Sequence, residues 1–360
     1  MIEQDSILDN TPVSLKALAC SNPPYKLGQD DIREICRTVF NDRADLFERL
    51  SRIYDNAGID YRYSCVPLKW YGQTHDWQER MALYESHALD LLETATQNAL
   101  QEACLTSRDI DVIIYVSSTG IVTPTLDALL SDRMGMRSDV IRLPVFGLGC
   151  AGGVSGLAQA ATQARAHPGK NILFLVVELC ALTFRSQDMS KANLIASALF
   201  GDGAAAAVVR CDPSDTPALA HITLSGEHLW PDSKDIMGWN IEDDGLGVIF
   251  SRDIPNFIIK NLPDVLEAFL RKADLTQSEL AGYLFHPGGA KVLQAYSESL
   301  NLTQADLELS RQSLRQFGNM SAVSALTVLQ AGMINKQKGL HLMMALGPGF
   351  TASFLLIDLQ

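Results

Sequence analysis

The sequence predicts an α/β protein in which two duplicated halves are stacked in five layers, with two sheets lying between three layers of helices. Three observations predict this fold. Short apolar runs of strand length alternate with helical stretches, a pattern typical of buried α/β sheets. One series of elements occurs twice along the 360 residues, and in each copy a helix rich in small residues follows a tight turn. A repeat of this length indicates a duplicated domain and not a solenoid.

Bulk composition sets the class of protein and excludes others. With 47% apolar and 20% charged residues, the chain has the composition of a globular protein with a large core. Its net charge of −13 disfavours nucleic-acid binding, which requires a basic surface. The acidic start MIEQDSILDN is unlike a signal peptide, and no apolar run reaches the roughly 18 residues that span a bilayer. We therefore expect a cytoplasmic protein without a membrane span.

The first repeated element is a helix end with the turn and strand that follow it. The segments LQEACLTSRDI, from Leu100, and LRKADLTQSEL, from Leu270, share the pattern L-x-x-A-x-L-T-x-x-acid-aliphatic. Each leads into an apolar strand, DVIIYVSSTG in one half and GYLFHPGG in the other. A helical stretch follows at Asp127–Met136 and at Lys291–Leu300. Both halves are therefore predicted to fold in the same order.

The second repeated element is a strand, a turn and an apolar helix. FGLGCAGGVSGL begins at Phe146 and FGNMSAVSALTV begins at Phe317. The helices that follow are too apolar for a surface, so we expect them at the centre, where small residues allow close packing between the sheets. Each half then continues with two strands. They are NILFLVVEL and GAAAAVVR in the first half, and LHLMMALGPG and TASFLLID in the second. The turn residues CDPSDTPA, at 211–218, predict a join between halves covering residues 1–212 and 213–360.

Cys150 is the cysteine whose context indicates chemistry. The seven cysteines are odd in number and form no CxxC pair, which argues against a disulfide framework and a cysteine-rich zinc site. A lone cysteine is usually just a small buried apolar residue. Here, however, a strand-like approach and the glycines at 147 and 149 predict that Cys150 lies at a helix N-terminus. Free N–H groups and the helix dipole stabilise a thiolate at such a position.

A nucleophilic cysteine needs partners, and two residues are candidates. Of seven histidines, only His286 ends an apolar strand before a tight turn, whereas His167 is typical of a surface turn. Asn319 lies at the turn that matches the Cys150 turn in the other half. A histidine at a strand end is often structural, and Asn319 could simply cap its helix. If the halves are related by a pseudo-twofold axis, Cys150 and Asn319 face each other with His286 beside them.

Five segments in order resemble the thiolase-fold condensing enzymes, and more narrowly the chalcone-synthase-like type III polyketide synthases. They are GLGCAGG, ALFGDGAAAAVV, HPGGAKVL, FGNMSAVSALTVL and LGPGF. MGWNIEDDGLGVIFSRDIP and RYSCVPLKWY are most similar to the bacterial alkylpyrone and alkylresorcinol branch. The resemblance extends from about Leu68 to the C-terminus. It implies a thiolase-like αβαβα fold, a homodimer, and a catalytic triad of Cys150, His286 and Asn319.

The resemblance implies a repeated decarboxylative condensation. Cys150 takes an acyl group from an acyl-CoA starter as a thioester. Malonyl-CoA then loses CO₂, and the enolate oxygen accepts hydrogen bonds from neutral His286 and from Asn319. The enolate attacks the acyl group on Cys150, and after several cycles a pyrone or resorcinol-type product leaves. A protonated His286 could also hold Cys150 as a thiolate at rest.

A second oxyanion hole is implied for the condensation step. The Cys150 N–H group and an amide of the loop formed by Gly347, Pro348 and Gly349 could supply it. Acyl-CoA and malonyl-CoA are the implied substrates. No metal or other cofactor is expected, because the sequence contains neither a ligand cluster nor a dinucleotide-binding fingerprint.

The resemblance also assigns residues to the substrate cavity and to CoA. Phe200 matches a gatekeeper between the CoA tunnel and the cavity, and Val248 stands where a second gatekeeper is usually phenylalanine. The smaller valine predicts a wider passage and medium- or long-chain fatty acyl starters, although Trp239, near a position often held by glycine, opposes a simple volume argument. The other assigned positions are Ser118, Thr119, Thr183 and Ser321 in the cavity, Thr123 from the neighbouring subunit, and Arg49 with Arg52 at the CoA phosphates.

Three alternatives remain open at the level of sequence. A ketoacyl synthase of the carrier-protein type III class shares the cysteine, histidine and asparagine set but performs one condensation. A non-catalytic acyl-binding protein could use the same fold, although the complete triad argues against it. A cysteine hydrolase is disfavoured because no general base for water is evident beyond His286.

Overall fold

The structure is a computed structural model that describes residues 12–212 and 218–360. Its strands are β1 (Val13–Ser21), β2 (Tyr25–Gly28), β3 (Tyr61–Ser64), β4 (Val112–Ser117), β5 (Ile141–Phe146), β6 (Asn171–Leu179), β7 (Asp202–Arg210), β8 (Ala220–Leu229), β9 (Met237–Glu242), β10 (Gly245–Phe250), β11 (Gly282–Phe285), β12 (Gly339–Gly347) and β13 (Thr351–Leu359). Most of the predicted join between the halves, at 213–217, lies outside the described residues.

The helices alternate with these strands, as predicted for an α/β chain. They are α1 (Gln29–Val39), α2 (Ala44–Leu50), α3 (Arg52–Asn56), α4 (Trp77–Glu102), α5 (Leu126–Arg133), α6 (Gly152–Ala166), α7 (Lys191–Leu199), α8 (Ile254–Leu270), α9 (Ala290–Leu300), α10 (Glu308–Phe317) and α11 (Val323–Ile334). Of the helices in the described ranges, none combines the length and the apolar character needed to cross a bilayer.

Nine strands form one mixed sheet in the order β11-β12-β13-β8-β1-β7-β6-β4-β5. The first half contributes β1, β4, β5, β6 and β7, and the second contributes β8, β11, β12 and β13. The two sets meet at a short seam, where the start of β1 pairs antiparallel with the start of β8 over only three residues, Val13 to Leu15. The sequence predicts two separate sheets; the structure joins them along this seam.

Alternating side chains of the strands face different helical layers. In β7, Ala204 and Ala206 pack in an outer apolar cluster with α4, while Ala205 and Ala207 pack in a central cluster with α6 and α11. On β13, Leu355 faces the same central cluster, whereas its neighbours face a third cluster with α8 and α9. Three helical layers therefore alternate with two sheet halves, which confirms the five-layer αβαβα, thiolase-like arrangement.

The first repeated segment folds alike in both halves. In each copy a threonine side chain caps a short 3-10 turn, and the acid three residues later accepts a hydrogen bond from the threonine N–H. A residue with left-handed backbone angles precedes each of these capping boxes, at φ 55° and φ 54°. The residues are Cys104, Thr106 and Asp109 in the first half and Asp274, Thr276 and Glu279 in the second.

Candidate active site

Cys150 lies in the turn between β5 and the central helix α6. A short 3-10 turn at Gly149–Ala151 runs directly into α6, so the cysteine sits at the helix N-terminus. Gly149 has φ 49°, and a Cβ atom on it would lie 2.5 Å from Cδ of Pro348. Only glycine therefore fits immediately before Cys150. The Cys150 side chain is buried, with 7% of the residue exposed.

The loop after β12 packs directly on this turn. A Cβ atom on Gly347 would lie 2.5 Å from the carbonyl oxygen of Leu148 and 2.9 Å from the backbone nitrogen of Ala151. Pro348 of this loop packs against Gly149, since its Cδ atom is the one that a Cβ on Gly149 would meet. The predicted loop Gly347–Pro348–Gly349 thus brings its backbone next to the Cys150 turn, where an oxyanion hole would require it.

His286 immediately follows β11 and is only 2% exposed. Its backbone N–H donates to the Met344 carbonyl at 2.8 Å and its carbonyl accepts from Gly288 at 3.0 Å, which fixes the residue. Among the residues that the structure describes, none hydrogen-bonds either ring nitrogen. Buried polar atoms are nearly always paired, so an unpartnered ring facing a cavity indicates that a substrate supplies the partner. Burial lowers the pKa of His286 to about 3, which favours a neutral ring.

Asn319 is held by hydrogen bonds at both ends of its amide. Nδ2 donates to the carbonyl of Gly288 at 3.1 Å, and Oδ1 accepts from the N–H of Ser321 at 2.8 Å. Because an amide nitrogen carries two hydrogens, the second N–H is directed into the cavity, where Cys150 or a substrate can accept it. The Asn319 backbone also bridges to the segment around Phe200, with its N–H donating to Leu199 at 2.8 Å. The amide is therefore rigidly oriented.

The three predicted residues meet in one buried cavity. Cys150 comes from the first half, whereas His286 and Asn319 come from the second. The rest of the cavity wall is almost entirely apolar, formed by Met237, Phe250, Ile254, Val292, Tyr296 and Leu346 beside Gly288. Water is poorly stabilised by such a wall, which suits chemistry on an enolate.

Charge in this cavity is governed by burial. Burial raises the pKa of the Cys150 thiol to about 12, and the Glu178 carboxylate also raises it, while hydrogen bonds from Ser321 and Asn319 lower it. Burial alone thus favours a neutral thiol beside a neutral His286. The helix dipole and the mutual attraction of opposite charges favour the other arrangement, a Cys150 thiolate beside a protonated His286. Proton transfer from Cys150 to His286 keeps the net charge of the pair at zero, which limits the cost of forming a thiolate there.

Glu178 is a functional candidate that the sequence analysis missed. This fully buried acid lies near the end of β6, and its Oε2 accepts from the Ser118 N–H at 3.0 Å and from the Thr119 hydroxyl at 2.8 Å. Its Oε1 accepts from the Ser321 hydroxyl at 3.3 Å. Burial raises the pKa of Glu178 to about 7. A lone acid near the end of the apolar run NILFLVVEL was the available signal.

The predicted cavity residues fall into three groups. Ser118, Phe200, Val248 and Ser321 line a second pocket that Cys150 also lines, and Thr183 lines a neighbouring pocket with Phe200 and Val248. Thr119 directs its hydroxyl to Glu178. Thr123, next to a cis peptide bond to Pro124, is exposed on the surface, as are Arg49 and Arg52.

Trp239 forms part of the wall of the second pocket that Cys150 lines. It lies opposite Val248 in the hairpin of β9 and β10, and its indole N–H donates to the carbonyl of Ser118 at 2.8 Å. On its far side is an open pocket of about 540 Å³ that shares Met237, Trp239 and Pro348 with the Cys150 pocket. Trp239 therefore lies between the Cys150 pocket and this surface pocket.

Comparisons with known proteins identify the family of this chain. Residues 4–213 match the chalcone and stilbene synthase N-terminal domain, and residues 221–359 match the C-terminal domain of the same family. The chain is 37% identical to 1,3,6,8-tetrahydroxynaphthalene synthase of Streptomyces peucetius subsp. caesius, over 99% of this chain and 96% of that protein.

Solved structures extend the comparison. The type III polyketide synthase 1,3,6,8-tetrahydroxynaphthalene synthase from Streptomyces coelicolor superposes with a TM-score of 0.91 at 28% identity, covering 96% of this chain and 99% of that one. PKS-I from the brown alga Ectocarpus siliculosus gives a TM-score of 0.92 at 25% identity over 100% of both chains. With both domain models matched along nearly its whole length, this chain belongs to the chalcone and stilbene synthase family and is a type III polyketide synthase.

Proposed function

We propose that this polyketide synthase loads an acyl-CoA starter on Cys150, extends it repeatedly with malonyl-CoA, and releases a cyclised pyrone or resorcinol-type product. The observation that supports this most is the shared cavity of Cys150, His286 and Asn319, in which no described residue hydrogen-bonds the His286 ring. Coenzyme A thioesters are the proposed substrates, and no separate cofactor is proposed. The cytoplasm remains the proposed location, since all seven cysteines are free.

Loading requires a base beside the thiol. Burial disfavours a free thiolate, so Cys150 must pass its proton to an adjacent group as it attacks the thioester carbonyl. Burial favours a neutral His286, and no described residue hydrogen-bonds its ring nitrogens in the same cavity, which makes it the proposed acceptor. The product of this step is a new thioester on Cys150, which conserves the energy of the CoA thioester.

Decarboxylation requires donors at the enolate oxygen. Loss of CO₂ from malonyl-CoA leaves negative charge on the thioester oxygen, and the second N–H of Asn319 together with a ring N–H of His286 can donate to it. The apolar wall disfavours the malonyl carboxylate and favours the neutral CO₂ that leaves. The enolate carbon then attacks the Cys150 thioester, while the Gly347–Gly349 loop lies close enough to support the tetrahedral oxyanion.

Several condensations are favoured over one. The ketoacyl synthase alternative shares the triad, but the family assignment is to polyketide synthases along the whole chain. Mass spectrometry of products from malonyl-CoA and a panel of acyl-CoA starters tests this. Products with two or more added ketide units support the proposal, and a single extension with each starter contradicts it.

We also propose medium- or long-chain fatty acyl starters. Val248 leaves more room than phenylalanine where the two pockets meet, and the open pocket beyond Trp239 could hold an acyl chain that passes the indole. Val248→Phe should reduce turnover of lauroyl-CoA and palmitoyl-CoA about tenfold, as overpacking a passage costs about 1–3 kcal/mol. Acetyl-CoA turnover should change little. Wild-type turnover with aromatic starters and none from octanoyl-CoA to palmitoyl-CoA would overturn this assignment.

A homodimer is proposed because strand β5 is an exposed apolar edge. In β5, Phe146 is 52% exposed and Leu143 is 39% exposed. Ile121, in the loop after β4, is 51% exposed. An unpaired apolar edge strand is normally covered by another chain, and a second copy would also bury Thr123, which shares a loop with Ile121. Sedimentation velocity should give a dimer for the wild type and a monomer for I121D/L143D. The control Ile334→Asp, at an isoleucine exposed elsewhere, should stay dimeric; a monomeric wild type contradicts the proposal.

A further inference from the structure

One hairpin supplies a large part of the wall of the Cys150 pocket without belonging to the nine-stranded sheet. Within the described ranges, strands β9 and β10 pair only with each other, as a separate two-stranded sheet. Their side chains in the wall are those of Met237, Trp239, Val248, Ile249 and Phe250. Because backbone hydrogen bonds of the large sheet do not hold this hairpin, side-chain contacts must fix its position over Cys150.

One arginine holds the tip of the hairpin to the body of the protein. Arg185 lies in the loop between β6 and α7, and its side chain is only 6% exposed. Its Nη1 lies 2.5 Å from Oε2 of Glu242, at the end of β9, and 2.5 Å from Oδ1 of Asp244, just before β10. Its Nη2 lies 2.6 Å from Oδ2 of Asp188, in its own loop. These four residues form the hairpin latch, in which one guanidinium joins the loop to both sides of the tip.

Both sides of the hairpin latch are supported by further hydrogen bonds. Asn193, in the first turn of α7, donates from Nδ2 to the carbonyls of Arg185 and Asp188, each at 2.8 Å. On the hairpin side, Arg80 of α4 donates to the carbonyl of Asp244 at 3.2 Å. The loop that carries the guanidinium is therefore fixed, and the tip of the hairpin is held from two directions.

The balance of charge makes Arg185 the critical member of the latch. One guanidinium is paired with three carboxylates, of which Asp188 is largely buried and the two at the tip are half-exposed. Carboxylates that lose a shared cation repel one another, and part-buried charges are screened less than charges in bulk water. Without Arg185, repulsion from Asp188 would therefore drive the tip of the hairpin away from the loop.

Movement of the tip would reach the substrate space directly. Arg185 lines a pocket together with Thr183, Phe200 and Val248. Val248 also lines the neighbouring Cys150 pocket, and it pairs with Trp239 across the hairpin. A shift of the hairpin consequently moves Val248 and Trp239 together and changes the width of both pockets.

We propose that Arg185 is a positioning residue that latches the β9–β10 hairpin over the Cys150 pocket and thereby determines which acyl starters fit there. Its effect on starters rests on the proposed function, whereas the latch itself is a property of the protein without substrate. Arg185 acts through the hairpin side chains Trp239 and Val248. Releasing the tip enlarges the pocket and lowers the discrimination between starters of different length.

Alkylation of Cys150 measures the latch without any substrate. Peptide mass spectrometry should show that Cys150 reacts with N-phenylmaleimide about tenfold faster in R185Q than in the wild type, because three weak ion pairs are lost together. The rate with the smaller reagent iodoacetamide should rise less. Loss of a cation by itself disfavours the Cys150 thiolate and slows both reagents, so a faster reaction reports access to the pocket.

Two further variants separate the charge of the latch from the packing of the arginine. E242Q/D244N removes the ion pairs at the tip without leaving repulsion, so its alkylation rate should lie between those of the wild type and R185Q. R185Q/E242Q/D244N should fall back from the rate of R185Q to that of E242Q/D244N, a non-additive recovery. The control R133Q should match the wild type, because Arg133 is paired with Asp90 and Glu93 elsewhere, each at 2.8 Å.

The outcomes of alkylation and of turnover are distinguishable. Wild-type alkylation rates in R185Q overturn the inference, as does a triple variant that reacts as fast as R185Q. If R185Q does not fold, E242Q/D244N decides alone, and its reaction at the wild-type rate overturns the inference. Faster alkylation supports the latch even if the wild type forms no polyketide, in which case the proposed function alone fails.

Starter competition tests the effect of the latch on specificity. In R185Q the ratio of the kcat/KM values for octanoyl-CoA and palmitoyl-CoA should move toward one, while the ratio in R133Q should stay at the wild-type value. Arg185→Lys, which keeps the charge but not the planar fork, should lie between R185Q and the wild type. An unchanged ratio in R185Q, despite faster alkylation, overturns the assignment of starter choice to Arg185.

Discussion

Replacing Cys150 by alanine is expected to abolish the acyl-enzyme and every elongated product, while malonyl-CoA is still decarboxylated. The starter and the growing chain have no other thiol to attach to there, because among the described residues Cys150 is the only cysteine that lines the cavity shared with His286 and Asn319. Decarboxylation needs donors and not a nucleophile, and His286 and Asn319 remain in place. Intact-protein mass spectrometry after incubation with an acyl-CoA measures the first effect. Conversion of malonyl-CoA to acetyl-CoA measures the second.

Cys104→Ala provides the matched control, since it removes an exposed thiol far from the cavity and should leave both signals unchanged. Polyketide formed by C150A at the wild-type yield would contradict a covalent mechanism. It would restore the interpretation of the chain as an acyl-binding protein whose products arise elsewhere. Loss of decarboxylation together with condensation would instead mean that Cys150 orients malonyl-CoA.

The architecture could be predicted from the sequence because the repeat consists of local sequence patterns. Strand, turn and apolar helix follow one another within about a dozen residues, so the Cys150 turn and the Asn319 turn can each be identified without knowing the fold. Their meeting follows from the duplication alone. Helix α5 shows the limit of such reasoning. It was expected over Asp127–Met136 but ends at Arg133, because the chain turns through Gly135 at φ 62°.

What the sequence did not reveal depends on contacts between distant segments. Glu178 is one acid in an apolar strand, and only the fold brings it to Ser118 and Ser321, from opposite halves. Thr119 has the residue type of a cavity lining, but its hydroxyl bonds Glu178. The wall formed by Trp239 likewise arises from a hairpin whose position over the chamber no local pattern specifies. Burial and long-range pairing decide these roles.

Asn319→Ala is expected to slow malonyl-CoA decarboxylation by about 10²–10³, the cost of removing one oxyanion donor in other enzymes. Acyl-enzyme formation should be affected far less, because Asn319 contributes only a hydrogen bond to the thiol. Stopped assays of acetyl-CoA release and of Cys150 acylation, performed on the same preparation, separate the two steps. Equal losses in both would show that Asn319 maintains the structure of the cavity and has no specific role in enolate formation.

His286→Gln should slow acylation of Cys150 more than decarboxylation of malonyl-CoA, the reverse of the effect of Asn319→Ala. Glutamine retains an N–H donor of similar reach, so decarboxylation should fall less than in His286→Ala, but it cannot accept the Cys150 proton. Because burial raises the pKa of that thiol to about 12, acylation near neutral pH should slow by about 10² or more once its base is lost. Acylation of H286Q at the wild-type rate would direct attention to Glu178, whose pKa of about 7 makes it the other group near Cys150 able to take a proton.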